Sequence, residues 1–330
     1  MTAKLIIFTG VHPSPMEAVA AKFIQTGWQV KLLNPAAPKW HRHSLFVSIF
    51  GCFRLVSKIF AAGKQLRRFR PLAVVSFGGY SALPVCIAAK LLSLPLVIHE
   101  QTFSAGLTTR LTALLADQIC LSWSSSRKHF PQAKTVLTGN PIRTSFLNLK
   151  PETDRQILFI SGGHFGSQTI NKTITPILPE LCRRFKIYHQ FGLKQSEGLW
   201  QKQRQICHPR YILRRWFNEA ETARIMNRSS LVICRSGINT VVELAYLGKR
   251  AVLIPLLTAQ KNEQLTNGRW LEALGLGLVL NQSELNPNTL LAAINQAVTV
   301  LPRPAQVQFN RSLAETAAEK IYQVVLNILK

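Results

Sequence analysis

The chain has 330 residues, 47% of them hydrophobic, and its 40 Lys and Arg against 15 Asp and Glu leave a formal net charge of +25. That length holds two domains of ordinary size, each with its own core, and the basic excess is uneven, +15 over residues 1–150 and +10 over 151–330. Such a field favours nucleic acid or an anionic membrane surface; the charges form no single run and no nucleic-acid motif is present, so an anionic membrane surface is the expected partner and nucleic acid is not.

Taken in order, Lys4–Phe8 reads as a strand, Thr9–Pro15 as a turn, Met16–Thr26 as a helix closed by Gly27, and Val30–Leu33 as the next strand. The opening strand is too short for a signal peptide's apolar region. A βαβ start is the pattern of a doubly wound sheet. The turn Thr9-Gly10-Val11-His12 is poor in glycine for a phosphate cradle, and His12 reads either as a turn histidine or as a functional one. Residues 44–60 are apolar on nearly every helical face, interrupted only by Arg54 and Lys58, and Gly63, Lys64, Arg67, Arg68 and Arg70 follow. One reading is a core helix with a solvated basic end. The other is a helix that presents Phe46, Phe50, Phe53 and Phe60 to acyl chains while Arg54, Lys58 and the basic flank meet lipid phosphates. Aromatic load and charge favour the second. No stretch reaches the roughly 18 uncharged apolar residues of a spanning helix.

Leu72–Phe77 is a strand, Gly78-Gly79-Tyr80-Ser81 a second glycine turn, Pro84–Leu92 a helix, and Leu94–Ile98 a strand ending in His99-Glu100-Gln101. Glu100 is one of only three acids in the first half, and its place at a strand's carboxyl end points to function. Gly106–Leu115 is helical, Ile119–Ser122 a strand, and Thr138–Arg143 a rigid turn carrying an arginine. A polar, proline-bearing linker at about 147–156 separates the halves. Ile157–Ile160 then opens a second βαβ set, with Ser161-Gly162-Gly163-His164-Phe165-Gly166 before a helix over Gln168–Leu181. Three glycines let backbone N–H groups approach an anion, so this is the better phosphate loop. Lys186–Gln190, Tyr211–Leu213, Leu231–Cys234, Ala251–Leu257 and Gly277–Leu280 are the later strands, and Asn310–Leu329 is an amphipathic helix. After Leu231–Cys234, Arg235-Ser236-Gly237 breaks the apolar run, and Val241, Leu244 and Ala245 recur at helical spacing up to Gly248. Ligands of open α/β sheets bind at such a turn. Glu243 within that helix reads equally as a solvated face acid or as a functional one. The six cysteines lie far apart in mostly apolar contexts with no Cys-x-x-Cys, which reads as reduced core thiols of a cytosolic protein. The fold class is α/β, two Rossmann-like domains facing across a cleft, the usual site for a nucleotide-bearing donor and a separate acceptor.

Together, Gly78-Gly79-Tyr80, Val97–Gln101 (VIHEQ), Ala105–Thr108 (AGLT), Thr138–Arg143 (TGNPIR), Ser161–Gly166, Cys234–Gly237 (CRSG), Thr240–Ala245 (TVVELA), Gln264 and Asn267 resemble the MurG family of peptidoglycan UDP-N-acetylglucosamine transferases, glycosyltransferase family 28 with GT-B architecture. The resemblance covers almost the whole chain. It implies an acceptor and membrane-binding domain over 1–148, with the C-terminal helix at about 310–330 packing back on it, and a UDP-sugar domain over 149–309. It implies that Glu243 holds the donor ribose, that Arg143, Gly162, Gly163, His164, Arg235, Ser236 and Gly237 lie near the donor phosphates, that Phe217 lies near the uracil, and that Gln264 faces the donor sugar. Gly10, His12, Gly79, Tyr80, Glu100, Gln101 and Thr102 would face a polyprenyl-diphosphate-linked acceptor.

The departures put the acceptor identity in question and touch the donor loop as well. The family's first loop, Gly-Gly-Thr-Gly-Gly-His, is shortened here to Thr9–His12; His164-Phe165 stands where Ser-Gln or Ser-Leu is usual; Thr102 and Thr109 replace asparagines; and Lys261 replaces an acid. No Asp-x-Asp motif is present to hold a metal and no cofactor is implied, so helix N-termini and Arg143 or Arg235 would stabilise the leaving UDP. A single displacement inverts the anomeric centre and needs one base. His12, suited to neutral pH, is favoured for it, with Glu100 orienting the acceptor or serving as base itself. The expected function is transfer of N-acetylglucosamine from UDP-N-acetylglucosamine to a lipid-linked muramyl pentapeptide by a peripheral protein on the cytoplasmic face of the plasma membrane. The alternatives are hexose transfer to diacylglycerol or another membrane lipid, and a non-catalytic membrane-associated protein on the same fold.

Overall fold

The computed structural model describes residues 4–10, 13–34, 47–147, 149–150, 152–256, 262–300 and 309–330. They form two compact units, Met1–Arg143 with Ser312–Lys330, and Thr144–Arg311.

The first unit runs β1 (Leu5–Thr9), α1 (Pro13–Gln25), β2 (Gln29–Leu32), α2 (Val47–Phe69), β3 (Ala73–Ser76), α3 (Leu83–Leu91), β4 (Leu96–Glu100), α4 (Leu107–Ala113), β5 (Gln118–Leu121) and β6 (Thr135–Leu137). Its inner strands β1, β3 and β4 are apolar on both faces, as a parallel sheet covered on both sides requires, while the edge strands β2 and β6 are largely exposed. The sheet is parallel throughout, in the order β2-β1-β3-β4-β5-β6. Alternation along the strands sends Ile7, Val74, Ile98 and Ile119 to a core shared with α2 and α3, and Ile6, Phe8, Val75 and Val97 to a core shared with α1.

The second unit continues as β7 (Asp154–Ser161), α5 (Gln168–Ile174), α6 (Leu178–Arg184), β8 (Lys186–Gln190), α7 (Glu197–Arg204), β9 (Tyr211–Arg214), α8 (Glu219–Arg228), β10 (Ser229–Cys234), α9 (Ile238–Leu247), β11 (Ala251–Leu253), α10 (Glu263–Ala273), β12 (Gly277–Val279) and α11 (Pro287–Val300). The chain ends with α12 (Arg311–Glu315) and α13 (Ala317–Ile328), whose Ile321, Tyr322 and Val325 fill the α1-side core of the first unit. The second sheet is also parallel, ordered β12-β11-β10-β7-β8-β9. The order reverses between β7 and β10, and between β1 and β3 in the first unit. Ligands of open α/β sheets bind beyond the carboxyl ends of such strand pairs.

Several boundaries differ from expectation. α2 continues through Gly63 to Phe69, because buried Ala62 and Leu66 extend its inner stripe, and it stops where Arg70 turns to φ 46° ahead of Pro71. The single helix expected over 168–181 breaks into α5, a short 3₁₀ turn and α6, since Pro176 and Pro179 each lack an amide hydrogen. Among the cysteines, Cys86, Cys120, Cys182 and Cys234 are buried as expected, but Cys207 is exposed in the loop before β9.

Lys249, just past α9, is only 2% exposed. Its Nζ donates to the Glu152 carbonyl at 2.6 Å and to Thr153 Oγ1 at 2.8 Å, fastening α9 to the segment that leads into β7. Burial pulls its pKa from the usual 10.5 down to about 8. The folded unit therefore holds this proton more weakly than the unfolded chain, and stability rises with pH between those two values. Denaturant unfolding from about pH 7 to about pH 10 should show that rise, and Lys249→Met should flatten it. An unchanged slope in the variant assigns the effect to another group.

Candidate active site

In the second unit, β7 ends at Ser161 and the chain turns through Gly162–Ser167 into α5. Ser167 caps α5 by accepting the Ile170 amide at 3.3 Å. The turn is seated on the one that follows β8. At Gly166, φ is +81° and a Cβ would stand 2.2 Å from the Phe191 carbonyl oxygen; at Gly192, φ is +100° and a Cβ would stand 2.1 Å from Gly166 Cα. Only glycine permits this approach. The Leu193 and Lys194 amides then donate to the carbonyls of His164 and Phe165 at 3.0 and 3.2 Å.

The neighbouring turn, after β10, leads into α9. Gly237 is the N-cap, extended and with no side-chain cap, so the first amides of this ten-residue helix present a positive dipole end. Arg235 reaches across the switch point: Nη2 donates to Ser167 Oγ at 2.7 Å, and Nη1 to the Ile254 and Pro255 carbonyls at 3.0 and 3.4 Å. It staples the two turns together. Ser236 is also committed to the protein, its hydroxyl donating to the Gln264 carbonyl at 2.7 Å, and Gln264 Oε1 accepts the Leu256 amide at 3.0 Å. Asn267 donates to the Ser236 carbonyl at 3.0 Å. Glu243 is buried two turns into α9, where its carboxylate joins burial in pushing the Cys234 thiol up to about 12.

The ring of Phe217, expected near the uracil, is turned into the core. It is 1% exposed and packs edge-on against Phe159 and Tyr188. Its neighbour Trp216, just past the carboxyl end of β9, is 37% exposed and has His164 edge-on at 4.7 Å. Sequence reasoning passed over Trp216, although two aromatics in succession at a strand's end mean that one of them faces out. A cavity of about 550 Å³ lined by Trp200, Arg204, Cys207, His208, Tyr211 and Leu213 touches neither turn.

In the first unit, Asn34, also missed, clamps the turn after β1: its Oδ1 accepts the Gly10 amide and its Nδ2 donates to the Gly10 carbonyl, both at 2.8 Å. Gly10 at φ +146° lies so close to Phe77 that a Cβ would sit 2.9 Å from the Phe77 Cβ. His12, Phe46 and Lys261 lie outside the described residues, and the side chains of Phe50 and Phe53, on α2, are likewise not described. After β3, Gly79 turns at φ +87°, Tyr80 is exposed and Ser81 is buried with its hydroxyl unpaired. Glu100, 3% exposed, ends β4; its Oε1 accepts the Thr102 amide at 2.8 Å and the Thr102 hydroxyl at 2.7 Å, while Oε2 lies buried without a partner. Burial raises its pKa above the ordinary carboxyl range, against the pull of Thr102 and, to a lesser degree, of the Thr109 hydroxyl and the Gly106 amide. The amide of Gln101 is buried with neither atom hydrogen-bonded. Unpaired buried polar atoms are costly, and their gathering here marks a place for a polar ligand. Arg143 is half-buried and is the last residue of the first stretch of the first unit.

The helices α2, α3 and α4 pack on one face of the first sheet, and their outer sides are apolar and basic together. Val56, Phe60, Leu91, Leu107, Leu111 and Leu114 are exposed, as are Arg54, Lys64, Arg67, Arg68, Lys90 and Arg110. Lys58 is half-buried. Among the described residues no helix is long and apolar enough to cross a membrane.

Residues 6–121 match the glycosyltransferase family 28 N-terminal domain and residues 157–324 the glycosyltransferase family 28 C-terminal domain. A relative from Syntrophotalea carbinolica, named UDP-N-acetylglucosamine--N-acetylmuramyl-(pentapeptide) pyrophosphoryl-undecaprenol N-acetylglucosamine transferase, is 35% identical over 92% of this chain and 86% of its own. One of the same name from Clostridium botulinum is 32% identical over 88% of this chain and 90% of its own. The crystal structure of Acinetobacter baumannii MurG superposes with a TM-score of 0.70 at 24% identity, covering 98% of this chain and 99% of that one, a likeness of fold.

Proposed function

Because the chain belongs to glycosyltransferase family 28, we infer that it transfers N-acetylglucosamine from UDP-N-acetylglucosamine to a polyprenyl-diphosphate-linked muramyl pentapeptide, turning lipid I into lipid II. The observation that carries this is 35% identity over 92% of the chain to a transferase of that name. Expression of the chain in a bacterium depleted of its own lipid II-forming transferase should restore growth. Failure to restore it, with labelled sugar appearing on diacylglycerol instead, would overturn the reading.

On the donor side, the uncapped N-terminus of α9 and the Gly162–Gly166 turn would hold the UDP phosphates and spread the charge that develops as UDP leaves. Arg235 and Ser236 shape these turns from within; Arg235 adds positive charge behind them. Glu243 would accept the ribose hydroxyls, Gln264 would face the sugar, and Trp216 takes over the uracil contact expected of Phe217. On the acceptor side, Asn34 occupies the Gly10 amide, which leaves the Gly79–Ser81 turn to meet the acceptor diphosphate, with Tyr80, Gln101 and Thr102 beside it. Glu100 Oε2 takes the proton of the attacking hydroxyl once the 101–105 loop admits the acceptor. The C1–O bond to UDP breaks as the new glycosidic bond forms on the opposite face, which inverts the centre.

The apolar and basic face of α2, α3 and α4 would lie on the cytoplasmic surface of the plasma membrane. Each Lys or Arg near an anionic surface contributes about 1 kcal/mol. The protein should co-sediment with anionic vesicles at low salt and largely release at high salt. Phe60→Asp with Leu111→Asp should weaken binding further. Equal binding to neutral vesicles at high salt, or no effect of the double variant, would contradict this.

A further inference from the structure

The centre of the second unit holds a chain of buried polar side chains that the reaction does not touch. It begins at the Phe191 carbonyl, the atom against which Gly166 is seated, which accepts from Asn171 Nδ2 at 3.0 Å. A carbonyl can only accept, so this contact fixes which way round the Asn171 amide lies. Its Oδ1 then faces His189 Nε2 at 3.1 Å. That oxygen also only accepts, so Nε2 carries the ring proton, and His189 Nδ1 accepts from the Tyr211 hydroxyl at 2.7 Å. The phenol oxygen accepts in turn from Gln203 Nε2 at 2.8 Å, and Gln203 Oε1 meets the Thr175 hydroxyl at 2.8 Å. Asn171, His189, Gln203 and Tyr211 are all buried. From Gln203 to Phe191 every hydrogen points the same way, toward the glycine turn. Burial holds the His189 pKa down at about 3, so the ring stays neutral and the order does not reverse near neutral pH.

We propose that Asn171, oriented by His189 and Tyr211, is a positioning residue for the sugar-nucleotide donor: it fixes the Phe191 carbonyl on which Gly166 is seated and so places the amides of the Gly162–Gly166 turn for the donor phosphates. The inference rests on the reading of that turn as the phosphate site. Asn171 stands in the first turns of α5, the helix this turn enters, so one side chain ties that helix to the turn beyond β8. An apolar core would fill the same volume without the desolvation cost of a polar network. The Gly192 amide, in the same peptide plane, donates to the Arg215 carbonyl at 2.9 Å from the other side; what an apolar core could not supply is the second anchor, a donor to the Phe191 carbonyl itself.

The test compares three variants by calorimetry with UDP and by steady-state kinetics. Asn171→Asp keeps the shape and the bond to His189 but cannot donate to Phe191 when ionised. It should raise the Kd for UDP and the KM for the sugar nucleotide about tenfold, with the acceptor KM unchanged. Tyr211→Phe, the milder variant should the first fail to fold, removes the donor to His189 and should raise the UDP Kd about two- to threefold. If both variants lose thermal stability while the folded protein binds UDP with wild-type affinity, the network is packing alone and the proposal is wrong. Gly166→Ala separates the positioning role from the phosphate site. Lost UDP binding in Gly166→Ala with wild-type binding in Asn171→Asp removes only the positioning role, whereas wild-type binding in both removes the phosphate site as well.

Discussion

Glu100→Gln should lower turnover by about 10²–10⁴ while raising the thermal stability of the protein. Glutamine keeps an oxygen where Oε1 now accepts both hydrogens of Thr102, so the loop after β4 retains its anchor. What is lost is the ability of Oε2, buried and unpaired, to take a proton. The same burial that raises the pKa of this carboxyl makes it a stronger base than an ordinary glutamate and makes its ionised form costly to the fold. Because the folded value lies above the unfolded one, the group's stabilising contribution is present below the unfolded pKa and is lost as pH rises through the folded value. Glutamine removes that loss. In the wild type, kcat/KM should fall on the acid side at a pH above the ordinary carboxyl range, and the variant's residual activity should lack that limb. Near-normal turnover in Glu100→Gln would make Glu100 the anchor of the 101–105 loop only and return the proton transfer to His12, whose alanine variant would then be the inactive one.

Glu243→Ala should weaken UDP binding by roughly 1.5–3 kcal/mol, about tenfold to a hundredfold, without unfolding the protein. A buried carboxylate that accepts two ribose hydroxyls makes charge-assisted bonds that alanine cannot replace. Alanine is a better helix former than glutamate, and α9 is held by its other buried side chains, so the helix should persist. Affinity for N-acetylglucosamine 1-phosphate, which has no ribose, should be unchanged. Calorimetry that finds the same UDP affinity in the variant would make Glu243 a core acid with no part in donor recognition.

What could be read along the chain was what is set locally. β8 was bounded as expected at Lys186–Gln190 because an apolar run flanked by polar turns specifies a buried strand by itself. The break at Arg235-Ser236-Gly237 before α9 was legible for the same reason. What could not be read depends on partners far away in the sequence. The engagement of Arg235 with Ser167 joins residues 68 apart, and the Asn34 clamp on Gly10 joins residues 24 apart. The choice between Trp216 and Phe217 turns on which of two adjacent side chains faces the core, and that is decided by Phe159 and Tyr188 on other strands. His189 carried no local signal at all, since its role exists only through Asn171 and Tyr211.

The central claim, transfer to a lipid-linked muramyl acceptor, is tested most directly by incubating the purified protein with UDP-N-acetylglucosamine and polyprenyl-diphosphate muramyl pentapeptide in mixed micelles, with and without a chelator. Nuclear magnetic resonance of the lipid product should show one added N-acetylglucosamine in a β linkage, formed from the α-linked donor at the same rate in both samples. Release of UDP with no sugar on the muramyl lipid, or a product that retains the α configuration, would contradict it.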